Sequence, residues 1–415
     1  MKYMIFSHGH PTFSKGGAEI AAYNLFKGIN LLPGNKCWFV ARCPDDKLHL
    51  GSPIAAINEQ ELLIAGNADI THLMSTIRLG DDSDFAAMLK DINPDVVHFH
   101  HYINLGVEML YAVKRILPNA RIVVTLHEFI AICSNNGQML KTNGTLCHGY
   151  SPRECAQCFP KQTPEDFFLR EQYIKSFFKN VDIFISPSNF LKKRYVDWGI
   201  EESHIKVIEN GQRIEPEMPS REVRNGDGRN VFGFFGQINP FKGIDVILQA
   251  LADLPQKQRR KIVLEIHGAN LDYQSKEFRK KINQLIKPLA EEGVVRWIGP
   301  YQPHEMRERM SNVDWVIVPS VWWENSPMVI QEAMLYRRPL LVSNIGGMAE
   351  KVTHDINGLH IPVGNTHAWS TALLKCAEDP QLWERLSNGI KPPLSIIECA
   401  KTHLALISNK EKISV

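Results

Sequence analysis

One stretch, residues 314–358, constrains the fold more than any other part of the chain. It opens on the apolar run Trp315, Val316, Ile317 and Val318, too short for a helix and closed by Pro319 and Ser320, so it reads as a buried parallel strand. A loop follows, and then Asn325, Ser326 and Pro327 carry helix-start chemistry: two side chains able to accept from free amides, and a proline suited to a first position that needs no N–H. Arg337, Arg338 and Pro339 close this helix, with cations at the negative end of its dipole and a ring that bars another turn. Residues 340–343 are the next strand. A strand, helix, strand unit of this kind belongs to a doubly wound sheet, where ligands sit beyond the carboxyl ends of strands and beside helix N-termini. Glu324, Asn325 and Ser326 lie at that end.

Glu324 falls in the loop, and Glu332 follows in the second turn of the helix. Two carboxylates beside an anion-binding helix end suit a ligand that offers hydroxyls to the carboxylates and phosphates to the amides. Gly346 and Gly347 form a second glycine turn before a helix start at Met348, with Glu350 in its first turn. Taken singly, Glu332 reads as a solvated helix residue, Glu350 as dipole compensation and the glycines as a tight turn. Taken together they specify a site.

At 415 residues the chain exceeds one ordinary core and suits two domains. The first is expected over residues 1–210, with a Cys-rich insertion at 133–158. A linker poor in apolar residues covers 211–230, the second domain 231–386, and a terminal helical segment 387–415. Strands expected at 3–6, 37–41, 69–74, 95–99, 121–126 and 182–186 alternate with helices such as 85–91 and 106–116. A second set of strands, at 231–235, 262–266 and 294–298, precedes the opening stretch. Such alternation means parallel sheets covered on both faces. Lys and Arg number 47 against 45 Asp and Glu, so nothing draws the chain toward nucleic acid. No apolar run reaches membrane-spanning length and residues 2–7 read as a strand, so the expected location is the cytoplasm.

Other candidate site residues stand at strand ends. Gly16 and Gly17 feed a helix start after the first strand, a backbone able to approach phosphate or sugar closely. Neither half carries the full dinucleotide fingerprint, which argues against a nicotinamide dehydrogenase. The loop from Gly236 through Gln237 and Lys242 to Gly243 puts a compact charge and bare amides at a helix start, the physics of phosphate binding. His98, His100 and His101 follow one strand, and His127 with Glu128 the next. His98 alternates inward with Val96 and reads as core, whereas His127 stands at the ligand-facing end. Asp82, Ser83 and Asp84 could be taken for a metal triplet, but Asp82 or Ser83 as a helix cap accounts for them.

The eight cysteines are too irregularly spaced for a disulfide scaffold. Cys155 and Cys158 make half of a zinc site, which Cys133 and Cys147 would complete, with His148 an alternative ligand; free or redox-active thiols are the other reading. Such a zinc would be structural, since four protein ligands leave no position for substrate. Residues 167–178 interleave aromatic and basic side chains, either as a core-packed amphipathic helix or as a face for a membrane surface.

Glu324 and Glu332 at this spacing, with Asn325, Ser326 and Pro327 between them, the strand ending in Pro319 and Ser320, and the Gly346 and Gly347 turn with Glu350, resemble glycosyltransferase family four. These are retaining enzymes of the GT-B fold, and the resemblance extends over nearly the whole chain. It implies an α/β, GT-B architecture, two doubly wound Rossmann-like domains facing across a cleft, with a terminal helix packing back on the first. It further implies a UDP- or GDP-linked sugar donor held mainly by the second domain, a glycan or lipid-linked acceptor on the first, and no metal in catalysis. The implied setting is surface polysaccharide synthesis, in the cytoplasm or at the inner face of the membrane. Residue by residue, it directs Lys242, Gln237 and the amides around Ser326, Pro327 and Met328 to the pyrophosphate and Glu332 to the ribose. Glu324 goes to the sugar and its anomeric centre, His127 to orienting that sugar, and Gly16 and Gly17 to the cleft. The sequence departs from the pattern at Gln237, where the family carries Arg, and at Glu128, where it carries Asp. A sugar-nucleotide epimerase of the same fold and a non-catalytic nucleotide-sugar-binding subunit are the alternatives.

Overall fold

Runs of β-branched and aromatic residues alternating with amphipathic helices build two separate parallel sheets. The structure is a computed structural model that describes residues 1–14, 16–44, 48, 52–66, 73–213, 219–223 and 228–408. It divides into one unit made of Met1–Ile214 with Leu394–Val415 and another made of Glu215–Pro393.

The first unit holds β1 (Lys2–Ser7), β2 (Lys36–Cys43), β3 (Ile54–Ala56), β4 (Glu61–Ala65), β5 (Val96–Phe99), β6 (Arg121–Thr125), β7 (Ile183–Ser186) and β8 (Ile205–Val207). Their order in the sheet is β3-β4-β2-β1-β5-β6-β7-β8, parallel throughout except for β3 against β4. The chain winds outward from β1 through β2 and returns on the other side as β5, with Ile5 level with both Phe39 and His98. The switch point therefore lies at the carboxyl ends of β1 and β5. Tyr3, Ile5, Phe39, Val123 and Ile185 form part of the core beneath it. The C-terminal helix Ile396–Ser408 lies against the helix Gly17–Asn30, where a Cβ on Gly28 would stand 2.4 Å from the Ile396 carbonyl oxygen. Ala400 is buried in that contact, and Cys399 is buried against Gly211.

The second unit holds β9 (Val231–Gln237), β10 (Val263–Ala269), β11 (Val295–Trp297), β12 (Trp315–Val318), β13 (Leu340–Ser343) and β14 (Gly358–Ile361), ordered β11-β10-β9-β12-β13-β14 and all parallel. Here the order reverses between β9 and β12. Phe232 stacks on Trp315 at 6.1 Å between ring centres. Burying side chains of this size supplies roughly 1.5–3 kcal/mol each.

Several expectations are corrected. The second unit begins inside the stretch read as a linker and runs past residue 386, because Arg221 and Arg229 both pair with the fully buried Asp314, at 2.7 and 3.1 Å. Of the strand expected at 69–74, residues 69–72 lie outside the described residues, and Leu73 and Met74 are not in a strand. The helix after β12 is Met328–Leu335, with Pro327 at the cap position and no side-chain cap, so Asn325 and Ser326 do not cap it. Ser326 Oγ instead accepts from Gln331 Nε2 at 3.2 Å. Arg338 is no solvated dipole partner: it is 1% exposed and donates to the carbonyls of Met310, Tyr336 and Pro219. The next helix is Gly346–Lys351, which leaves Glu350 beyond its first turn. Ser83 does cap a helix, accepting from the Ala86 amide at 3.2 Å.

Candidate functional site

In the second unit the loops after β9 and β12 meet at the switch point. Asn239 caps a short turn, accepting from the amides of Phe241 and Lys242, and so fixes where Lys242 leaves the backbone. Gly243 follows at φ 68°, and a Cβ there would lie 2.0 Å from the Pro319 carbonyl oxygen. Only glycine permits both the angle and the approach. The Val321 amide then donates to the Phe241 carbonyl at 2.9 Å, and Phe241 stacks on Trp322 at 5.2 Å.

This zipper delivers Lys242 to Glu324. Lys242 Nζ is 2.6 Å from Glu324 Oε1, which also accepts from Ser320 Oγ at 2.8 Å and from Trp322 Nε1 at 3.0 Å. Glu324 is 8% exposed. Burial works against its charge, but Lys242 beside it and the two neutral donors outweigh burial and hold the carboxyl below the usual range. Gly347 presses on the same loop from β13: its amide donates to the Glu324 carbonyl at 2.6 Å, and a Cβ on it would meet the Asn325 carbonyl oxygen at 1.9 Å. The glycine pair read as a turn is thus the support of the Glu324 loop.

Glu332, two turns of chain away, has an opposite environment. Its carboxyl has no hydrogen-bond or ion-pair partner among the described residues, and burial alone pushes it up to about 7. Tyr301 lies near enough to feel its charge, packing edge-on to Phe235 at 5.9 Å. Gln237 ends β9 with an exposed side chain. Trp322 and Tyr301 were not singled out from sequence, and Ser320 was read as the end of a strand and not as a partner of Glu324; a hydrogen-bonding indole two residues before a carboxylate was the available signal. A groove of about 730 Å3 over β10 and β11, lined by Glu265, His267 and Arg296 among others, includes none of Lys242, Glu324 or Glu332.

In the first unit the ends of β1, β5 and β6 gather histidines. His98 is core, as expected: it is fully buried, with Tyr3 Oη at 2.7 Å and Thr125 Oγ1 at 2.7 Å. His127 Nε2 lies 3.0 Å from His100 Nδ1, one donating and the other accepting. Burial, with the charge of His8 adding and Glu19 opposing, lowers His127 to about 3, so it is a neutral imidazole. His8 stands edge-on to His101 at 4.2 Å and 3.2 Å from Glu19 Oε1. His101 in turn is 3.9 Å from Glu128 Oε1. Burial raises Glu128 to about 8 against the Ile130 amide and Arg170. For Glu19 burial is outweighed by His8 and Ser14, which hold it at about 2. Gly16 and Gly17 are exposed at the start of their helix, and Glu19 folds back over Gly16, where a Cβ would meet its Oε2 at 2.4 Å. Glu19 was missed from sequence because nothing in its spacing marks a side chain that turns back on its own helix end.

Cys133, Cys147, Cys155 and Cys158 line one cavity, whereas His148 is exposed and does not. Among the described residues no three His, Cys, Asp or Glu side chains are gathered tightly enough to hold a metal ion. Of the aromatic and basic stretch, Phe167 and Phe178 are buried in the helix Pro164–Phe178, while Phe168 and Leu169 are exposed. No helix among the described residues is long and apolar enough to cross a membrane.

Two family models match the chain in succession, Glycosyltransferase Family 4 over residues 15–215 and Glycosyl transferases group 1 over residues 219–391. The chain belongs to this glycosyltransferase family. It is 29% identical over 181 residues to a D-inositol 3-phosphate glycosyltransferase of Saccharomonospora viridis, covering 43% of this chain and 41% of that protein. It is 31% identical over 186 residues to the lipopolysaccharide 1,2-N-acetylglucosaminetransferase of Salmonella typhimurium, covering 43% and 48%. The chain thus spans less than half the length of these curated relatives. Among solved structures it resembles HepE of Anabaena in complex with UDP, with a TM-score of 0.69 at 18% identity over 98% of this chain and 100% of that one. Sucrose-phosphate synthase of Thermosynechococcus elongatus gives 0.68 at 16%, over 98% of each. The fold is GT-B.

Proposed function

We propose that this chain transfers a sugar from a nucleotide-sugar donor to a glycan or lipid-linked acceptor, with retention at the anomeric carbon. The observation that carries the reading is the pair of carboxylates at one switch point, Glu324 charged and clamped by Lys242, Glu332 half-buried and without a partner among the described residues. A diol is what a half-buried, unpartnered carboxylate is suited to receive, and the ribose of a nucleotide supplies one. Glu324 Oε1 is occupied by three donors, which leaves Oε2 for the sugar and its positive anomeric centre.

Lys242 keeps N–H groups beyond the one it gives Glu324, and these meet charge developing on the leaving phosphate. Fixed charge of this kind is the largest single contribution in many enzymes. Gln237, at the end of β9, donates a neutral hydrogen bond in support. The neutral His127, held by His100, orients the sugar or acceptor hydroxyls. In a front-face reaction the leaving phosphate takes the acceptor proton, so no base from the chain is required and no step needs a metal. Surface polysaccharide or glycolipid assembly at the cytoplasmic face of a membrane is the setting we infer.

Thermal unfolding against diphosphates of uridine, guanosine and adenosine and their sugars tests this, with uridine first because HepE was crystallised with UDP. A ligand at about 100 times its Kd stabilises by roughly 2.7 kcal/mol. A shift with one base, lost in Glu332→Ala, together with an axial or equatorial product matching the donor anomer, supports the reading. Nucleotide release without any acceptor points to the epimerase instead, and no shift with any nucleotide overturns the assignment.

A further inference from the structure

The insertion after β6 is the part of the first unit that the transfer reaction leaves without a role. It contains Cys133, Cys147, Cys155 and Cys158, scattered along the chain, and the fold brings all four to one cavity of about 20 Å3. A space of that size takes a single water-sized occupant. The convergence is built from backbone upward. The Cys133 amide donates to the Phe129 carbonyl at 2.7 Å, placing its side chain at the first turn of the insertion. A bridge between Leu140 and Leu146 then closes a hairpin, and the Cys147 amide returns to the Met139 carbonyl at 2.8 Å. Helix Pro152–Cys158 finally presents Cys155 and Cys158 one turn apart on one face.

None of the four is in a disulfide. Cys155 lies within electrostatic reach of the other three. Charge of both signs borders the cluster: Lys141 and Glu154 line the cavity 3.5 Å apart, and the guanidinium groups of Arg170 and Arg194 lie within electrostatic range of Cys133 and Cys147. Cationic side chains around a set of thiols are what a divalent ion with four thiolates requires, because that complex carries two net negative charges.

We propose that Cys133, Cys147, Cys155 and Cys158 bind one structural Zn2+. Four thiol protons leave to solvent as four Zn–S bonds form, giving a closed tetrahedral site. The sulfurs share the cavity without converging on one point, so metal binding has to draw them together. His148, exposed and off the cavity, takes no part.

The ion fastens the loop that carries His127 and Glu128 into the rest of the unit. Arg170 donates to the carbonyls of Ile130 at 2.6 Å and Ala131 at 2.8 Å, and Tyr195 Oη donates to the Glu128 carbonyl at 3.0 Å. Gly137, within the insertion, packs so closely that a Cβ would lie 2.5 Å from Glu128 Oε2. Zinc at the cysteines therefore holds the strand-end residues from behind. This inference does not depend on the sugar-transfer reading.

The test is the metal content of the full chain, prepared without a polyhistidine tag, under reducing conditions and without chelator. About one zinc per chain is expected, released stoichiometrically when a mercurial titrates the thiols in the presence of a chromogenic chelator. Cobalt substitution should give the intense visible bands of a tetrahedral ion with thiolate charge transfer. Cys155→Ser with Cys158→Ser should lose the metal and lower Tm, and nucleotide binding, if measurable in the wild type, serves as a check that the second unit remains folded. If that double variant does not fold, the mercurial and cobalt measurements on the wild type decide alone. Wild-type protein that carries no zinc and takes up neither Zn2+ nor Co2+ overturns the site, as does an intact mass showing these cysteines as disulfides in protein kept reduced.

Discussion

The carboxyl ends of β9 and β12 in the second unit, and those of β1, β5 and β6 in the first, both collect titratable side chains at a switch point, yet they settle charge in opposite ways. The second unit keeps a full ion pair, Lys242 with Glu324, reinforced by Ser320 and Trp322. The first holds His127, His100 and His101 as neutral imidazoles and leaves Glu128 with a raised pKa, with Glu19 beside His8 the exception that keeps its charge. Fixed charge suits the place where charge develops during bond breaking. Neutral donors and acceptors suit hydroxyl groups that must be gripped without being ionised. The same topology therefore yields two chemically distinct clusters, because in one the loops supply a lysine and in the other they supply imidazole rings.

The largest effect that would sharpen this contrast is at the ion pair. Lys242→Ala and Glu324→Ala should each lower kcat by about 10²–10³, and the double variant should lose little more than either alone, since the two act as one unit. Additive losses in steady-state kinetics would break the comparison. Lys242→Ala also strands a buried carboxylate, at a cost on the order of 3 kcal/mol, and Glu324→Gln in that background should restore much of the lost Tm.

Glycine substitutions probe how rigidly each cluster is held. Gly347→Ala drives a methyl into the Asn325 carbonyl, so a loss of about 1–3 kcal/mol by denaturant unfolding and weaker nucleotide binding are expected. Gly16→Ala meets only the movable end of Glu19 and should cost less. Equal losses would show that the first unit's helix start is as tightly packed as the Glu324 loop.

A smaller effect is expected at the imidazoles. His127→Ala should lower kcat by roughly tenfold to a hundredfold with nucleoside diphosphate affinity by calorimetry unchanged, and His100→Ala should reproduce part of that loss. Weakened nucleotide binding in either variant would mean that the histidine cluster acts on the nucleotide and not on the sugar or acceptor.

The smallest effect concerns pH. Glu332 is held at about 7, above an unfolded value of about 4.3, so the folded protein retains its proton longer. Its stabilising contribution is present at low pH and lost as pH rises through that window. Glu332→Gln should remove this decline and raise Tm by a few degrees at most at pH 8. Donor affinity should move the other way, improving as Glu332 ionises, with the difference between wild type and Glu332→Gln reporting the carboxylate apart from the nucleotide's own phosphates.

The strand runs, their parallel arrangement and the neighbourhood of Glu324 and Glu332 were legible in sequence, because apolar periodicity and glycine or proline punctuation are local signals. The partner of Glu324 was not: Lys242 lies in a loop 82 residues earlier, and only the reversal of strand order between β9 and β12 brings the two together. Helix starts were misplaced where a proline took the cap position itself, as Pro327 does. Arg338 shows the limit of a composition argument, since an arginine at a helix end reads as solvated until the fold supplies three carbonyls to bury it against. The environment of Glu332 was equally hidden, for a helical glutamate looks the same in sequence whether water or Tyr301 stands beside it.

The helix Ile396–Ser408, seated against Gly17–Asn30, has a consequence for the order in which the molecule assembles during synthesis. The first unit is encoded in two pieces with the whole of the second unit between them. Its first piece leaves the ribosome early, with the face of the helix Gly17–Asn30 that packs against Ile396 and Ala400 still bare. The second unit, continuous in the chain, can complete its sheet beforehand. The unit begun first is thus completed after the second, and a chain released before the helix Ile396–Ser408 would carry a folded second unit and an incomplete first one.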